Sequence, residues 1–142
     1  MTKMIFVNLP VADVARSTAL YEAMGFTRNP TFSNANASAM IWSDAINVML
    51  LSHELYSTFT RKPIADTGRD SAVLLCLSCA DRGEVDAIAR AAQDAGAREL
   101  HGAEDEGYMY SRAFEDFDGR AWQVMWMDAG AIADAVAAGT DA

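Results

Sequence analysis

Apolar positions follow the same plan twice along the chain. Residues 6–26 read FVNLPVADVARSTALYEAMGF and residues 74–97 read LLCLSCADRGEVDAIARAAQDAGA. Each begins with a short apolar strand, passes through Ala-Asp into an amphipathic helical pattern, and reaches a glycine. Each half then continues into a strand–turn–strand, MIWSDAINVMLL in the first and RAFEDFDGRAWQVMW in the second. A small β-rich unit of this kind cannot close a core alone. Two of them imply pairing around a concave surface, which is a place for a small molecule.

The spacing predicts a first strand over 4–10 and a helix over about 14–24, with Asp13 as its N-cap. Val14, Thr18, Tyr21 and Met24 fall on one face of that helix. Gly25 ends it, because glycine accepts the left-handed conformation of a C-terminal cap. Strands are expected over 26–33, 38–43 and 46–52, with Ser43-Asp44 in the last turn. Residues 53–70 break the pattern and read as a short helix plus a loop. The second unit opens with a strand over 72–79. A helix over about 82–95 follows, capped by Asp81 with Glu84 in the D-x-x-E position, its inner stripe Val85, Ile88, Ala89 and Ala92. Strands follow near 97–102, 108–115 and 121–128, and Asp118-Gly119 marks the hairpin between the last two. From Ala129 the chain is rich in Ala, with Ile132 and Val136 spaced for a short terminal helix. Each unit is thus β-α-β-β-β.

At 142 residues with 51% apolar content, the chain suits one compact domain or two fused half-domains. Its net charge of −9 repels phosphate backbones and argues against nucleic-acid binding. No apolar run approaches the ~20 residues of a bilayer span, and the N-terminus lacks the apolar stretch of a signal peptide. These features predict a soluble cytoplasmic protein with no membrane partner. Cys76 and Cys79 form a C-x-x-C, but in a strand pattern, where residues three apart point to opposite faces. They are expected to be structural rather than a redox pair. No G-x-S-x-G, P-loop or G-x-G-x-x-G is present, which removes the hydrolase and nucleotide readings that depend on them.

The opening NLPVADVARSTALYEAMGF and the closing FEDFDGRAWQVMWMD, together with the repeat, resemble the vicinal oxygen chelate superfamily. That group includes glyoxalase I, bleomycin-resistance proteins, fosfomycin-resistance enzymes and extradiol dioxygenases. The resemblance covers about residues 4–128 and implies an α+β fold in which two paired β-α-β-β-β modules form a curved eight-stranded mixed sheet around a cavity. It implies one glyoxalase-like domain over 1–142: module one about 4–52, a linker about 53–70, module two about 71–128 and a helical tail about 129–142. It further implies a homodimer. Metal-dependent members place four His, Glu or Gln ligands on cavity-facing strand positions. Carried over one at a time, those positions are Phe6, Leu74, Leu50 (to within one residue) and Gln123. Phe and Leu have no donor atom, and transition-metal sites need about three or more protein donors. The two histidines, His53 and His101, fall on none of these positions and read as surface or loop residues. The expectation is a protein without a bound metal and with no other cofactor.

Alternation from those positions predicts an inward set of Met4, Phe6 and Asn8; Val48, Leu50 and Ser52; Ala72, Leu74, Cys76 and Ser78; and Ala121, Gln123 and Met125. From it Phe6, Asn8, Leu50, Leu74, Cys76, Gln123 and Met125 are the expected ligand-binding residues. The same alternation turns Trp122 and Trp126 toward the helices and leaves Trp42 open. Tyr108 and Tyr110 are candidates for a pocket rim or for cross-strand pairs. Arg112 and Arg120 read as surface ion pairs, Glu115 as a candidate general base, and Asp116 and Asp118 as solvated turn residues. The function expected is binding, with or without transformation, of a small organic molecule in an apolar cavity. One alternative is a metal-dependent lyase or dioxygenase with a rearranged site drawing on Gln123, Glu115 and a histidine. Another is an interaction module whose cavity is filled by its own side chains.

Overall fold

A computed structural model describes residues 2–130 and residue 137. The expected helix around Ile132 and Val136 lies outside the described residues. The elements run β1 (Ile5–Val11), α1 (Val14–Met24), β2 (Thr27–Asn34), β3 (Ala37–Ile41), β4 (Ile46–Ser52), α2 (His53–Tyr56), β5 (Leu74–Ser78), α3 (Arg82–Asp94), β6 (Arg98–Asp105), β7 (Met109–Glu115) and β8 (Ala121–Met127). The two β-α-β-β-β units are present. Their eight strands form two four-stranded mixed sheets, ordered β1-β4-β3-β2 and β5-β8-β7-β6. In each, the first strand pairs parallel with the fourth and the rest pair antiparallel.

The helix limits follow from their caps. Asp13 accepts from the Arg16 amide at 3.0 Å, and Gly25 closes α1 at φ 119° with its own N–H on the last carbonyls. Asp81 accepts from the Glu84 amide at 2.8 Å. Gly96 follows α3 at φ 111°, and a side chain there would lie 2.9 Å from the Phe117 ring. Backbone conformation and close approach thus both demand glycine at this position.

A single core joins the two units. Leu20, Tyr21 and Met24 of α1 and Val85, Ile88, Ala89 and Ala92 of α3 meet the helix-facing sides of both sheets, from Leu9, Val48 and Leu50 to Leu77, Phe114, Trp122 and Val124. Aromatic edges bind the seam: Trp122 lies T-shaped to Tyr21 at 5.6 Å and to Phe26 at 6.0 Å. Trp42, left open by the sequence, packs on Phe26 at 5.0 Å. Such aromatic pairs add about 0.5–1.5 kcal/mol each beyond area burial.

A buried polar network runs through the same seam. The Tyr21 hydroxyl donates to Asp116 Oδ2 at 2.7 Å and accepts from Trp122 Nε1 at 2.9 Å. Arg120 donates to Asp116 Oδ2 at 2.9 Å and to the Pro10 carbonyl at 2.8 Å. Asp116 Oδ1 takes the amides of Asp118 and Arg120, and Asp118 Oδ1 takes the amide of Ala12 at 2.9 Å. Arg120 and Asp116 are 3% and 1% exposed, so reading Arg120 as a surface ion pair and Asp116 as a solvated turn residue is corrected. The β7–β8 turn is pressed against the segment before β5 (a side chain on Gly119, φ 81°, would meet Gly68 and Thr67 at 2.7 Å), and that segment covers part of it.

Candidate functional site

Each sheet buries one side in the shared core and leaves the other open. Parallel pairing fixes which residues share the open side, since partners in register point the same way. In the first sheet Phe6 pairs with Asn47 and Asn8 with Met49, while Val7 pairs with Val48 and Leu9 with Leu50. Val48 and Leu50 are fully enclosed in the core. Placing Val48, Leu50 and Ser52 on the cavity side is therefore one residue out of phase, and Asn47, Met49 and Leu51 lie there instead. A one-residue slip exchanges every side chain between faces. Leu50 is a core residue, and the position it was expected to fill belongs to Met49.

The open side of the first sheet holds a hollow of about 460 Å³ lined by Met4, Phe6, Asn29, Phe32, Ala39, Met40, Ile41, Asn47 and Met49. Phe6 is 55% and Phe32 68% exposed. A second hollow of about 310 Å³ adjoins it at Asn8, Leu51, Tyr56, Phe59 and Thr60. The sequence reading missed Phe32, Met49 and Phe59. The register of β1 with β4 would have found Met49; nothing local marks Phe32 and Phe59, which lie outside the alternation.

In the second sheet the phase is as expected. Leu74 pairs with Ala121, Cys76 with Gln123 and Ser78 with Met125, all on the open side, while Trp122 and Trp126 turn to the core. Leu74 is 78% exposed. A hollow of about 300 Å³ lies between this face and the segment 67–73, with Leu74, Leu100, Ala121 and Glu115 in its lining. Glu115 forms an ion pair with Arg98, whose Nε lies 2.8 Å from its carboxylate. Tyr110 faces the helix side and donates to Asp86 at 2.7 Å, and Arg112 reaches Asp86 and Glu99 at 3.5 Å, so neither rims the open face; Tyr108 is exposed just ahead of β7. His101 lies within β6 rather than in a loop, opposite Ala113, and its Nδ1 is 3.7 Å from Glu104. His53 begins α2.

The two expected sets are not brought together within one chain. Phe6 and Asn8 share one open face, and Leu74, Cys76, Gln123 and Met125 share the other. Neither the hollow at Phe6 nor the hollow at Leu74 is lined by both. The side chain of Gln123 makes no hydrogen bond among the described residues, to Asn8 or otherwise.

A metal does not fit these residues. The positions equivalent to a ligand set are Phe6, Met49, Leu74 and Gln123, which together supply one amide and one thioether. Among the described residues no three His, Cys, Asp or Glu side chains are grouped to hold an ion. Glu115, His101 and Gln123 do share the open side of the second sheet, but Ala113 stands between His101 and Gln123 in the ladder, and Glu115 lies against Arg98. The thiols are likewise unsuited to nucleophilic work. Burial pushes Cys76 up, and burial and then the Glu84 carboxylate push Cys79 up to about 11, so both stay protonated at neutral pH.

The chain shares its fold with solved proteins of the glyoxalase/bleomycin resistance protein/dioxygenase kind. A glyoxalase/bleomycin resistance protein/dioxygenase family enzyme from Burkholderia phytofirmans PsJN superposes with a TM-score of 0.75 at 16% identity, over 89% of this chain and 99% of its own. A glyoxalase-related enzyme from Fulvimarina pelagi gives 0.73 at 16% identity, over 89% and 88%. A bleomycin resistance determinant encoded on the transposon Tn5 gives 0.62 at 21% identity, over 89% and 99%. At sequence level, the family model described as bleomycin resistance protein-like N-terminal matches residues 3–40, which span β1, α1, β2 and the start of β3. No curated protein matches the chain. No helix among the described residues is long and apolar enough to cross a membrane.

Proposed function

We propose that this chain binds a small organic molecule, without a bound metal, in a cavity completed by a second copy of itself. The observation that carries the reading is the open side of the first sheet. Phe6 and Phe32 stand more than half exposed around an apolar hollow of about 460 Å³. A contiguous apolar patch of this kind marks an interaction surface, and a hollow of a few hundred Å³ with few polar tips suits a small ligand. The second sheet leaves Leu74 and Met127 exposed in the same way. A homodimer, which the resemblance also implies, covers both faces. The ligand is held by desolvation, at about 25 cal/mol per Å² of apolar surface removed from water, and oriented by Asn8, Asn47 and Gln123.

The test is direct. Sedimentation should show a dimer, and a solvatochromic dye should bind it with a stoichiometry near one per chain. A monomer with no dye binding overturns the reading and leaves the filled interaction module. Elemental analysis should find far less than one equivalent of zinc, iron, manganese or nickel. A stoichiometric metal that survives dialysis would favour the rearranged site instead.

A further inference from the structure

The two open faces would make unlike walls for one cavity. The hollow on the first sheet has no ionisable side chain in its lining. The hollow on the second is lined by Arg69, Asp70, Glu115 and Arg120 among its apolar residues. We infer that the ligand is amphipathic, with an apolar body on the first face and a cationic, hydrogen-bonding head on the second, and that Glu115 selects the head. This rests on the binding role proposed above and adds the chemical class of the ligand.

Glu115 differs from the other charges around it. Arg69 pairs with its neighbour Asp70 at 3.2 Å, and Arg120 is spent on the buried Asp116. Glu115 pairs with Arg98, but asymmetrically: its side chain is 23% exposed, whereas that of Arg98 is 74% exposed. The carboxylate is fixed by its strand in the wall of the hollow. Its partner is a long side chain reaching in from solvent, and an ion pair of that kind contributes little. An ammonium or amidinium group entering the hollow takes the place of Arg98 at small loss. Leu74 and Ala121 line the hollow beside the carboxylate, and covered by the second copy they exclude water and strengthen the new contact.

Gln123 lies on the same face, two residue pairs along the ladder from Glu115–Ala121, and offers both a neutral acceptor and a donor to the same head. A ligand carboxylate meets repulsion at Glu115, and the net charge of −9 opposes its approach from farther out.

The experiment uses three ligands with one body, 1-naphthylmethylamine, 1-naphthaleneacetamide and 1-naphthaleneacetate, titrated calorimetrically into the full-length protein at pH 7. The amine should bind tightest and the carboxylate weakest, about tenfold apart. Glu115→Gln should erase that gap while leaving the amide within about twofold. Arg98→Ala should widen it by freeing Glu115, and it carries the test alone should Glu115→Gln fail to fold. Phe6→Ser should weaken all three ligands alike. Equal binding of the three heads that Phe6→Ser abolishes, or a gap that persists without Glu115, overturns the selection and leaves the cavity standing. Failure of all three to bind, or binding indifferent to Phe6→Ser, overturns the cavity and this inference with it.

Discussion

The two units are alike on one side and unlike on the other. Aligned by register, their helix-facing pairs are Val7–Val48 and Leu9–Leu50 in the first, Leu75–Trp122 and Leu77–Val124 in the second. All are apolar, and most are buried in one core. Their open-side pairs are Phe6–Asn47 and Asn8–Met49 against Leu74–Ala121 and Cys76–Gln123. Of these four positions only Phe6 and Leu74 keep their polarity class from one unit to the other; one same-face step on, Leu51 and Met125 keep it too. Packing dictates the first set, because each side chain meets a neighbour it must fit. Neighbours in the chain constrain the second set less: Phe6 and Leu74 are more than half exposed, although Asn47 is buried and reaches the Ile5 carbonyl. Fold is written on one side of each sheet, and the other side is left to the binding role proposed above.

The sharpest way to break this comparison is at the seam. Removing Asp116 would strand Arg120, the Tyr21 hydroxyl and two amides in a water-free site. Asp116→Ala should cost about 3–5 kcal/mol, as loss of one partner of a buried pair does. Urea unfolding followed by tryptophan fluorescence would read it. A loss below 1 kcal/mol would mean that the seam opens to water, and that the two units are held by apolar contact alone.

Next in size is the phase of β4. Leu50→Ala should destabilise by about 2–5 kcal/mol, as core leucine truncations do. Met49→Ala, on the open side, should stay within about 1 kcal/mol yet weaken binding of an apolar dye. Equal costs at the two positions would refute the register described above. Phe6→Ser extends the contrast. It removes an exposed ring, so folding should change by about 0.5 kcal/mol or less, while dimerisation and dye binding fall about tenfold or more.

The same contrast explains what could be read from the sequence. The caps at Asp13 and Asp81, the closing Gly25 and the stripe Val85, Ile88, Ala89 and Ala92 were legible because local backbone chemistry and helical periodicity determine them. The β7–β8 hairpin was legible from Asp118-Gly119. The phase of β4 was not, because its pairs Val48-Met49 and Leu50-Leu51 are apolar at both parities and only the β1 ladder decides between them. The Asp116–Arg120 pair was misread because nothing near it in sequence reports that Tyr21, Pro10 and the segment around Thr67 fold over the turn. The separation of the two open faces was equally hidden, since repeat symmetry reveals two units and not how their helices stack.

The smallest expected effect concerns Asp118, where the seam touches solvent. Burial is the main cause that raises its pKa, and the nearby Asp116 carboxylate adds to it; the Ala12 amide, Arg120 and His53 act in the opposite direction. Its second oxygen, Oδ2, is shielded and has no hydrogen-bond partner among the described residues. A carboxyl raised in the folded state binds its proton more tightly there than in the unfolded chain, where its pKa is about 3.9. Through the window from that value up to the raised one the folded state holds more protons, so this group makes stability fall as pH rises. Above the window the cost is present in full. Asp118→Asn keeps an acceptor for Ala12 and removes the titration. The difference in stability between wild type and the variant should therefore shift in favour of Asn as pH rises from about 4 toward neutrality. A difference that stays constant across this range, followed by chemical denaturation at matched ionic strength, would show that the carboxyl is solvated and that the seam is looser at its rim than its hydrogen bonds suggest.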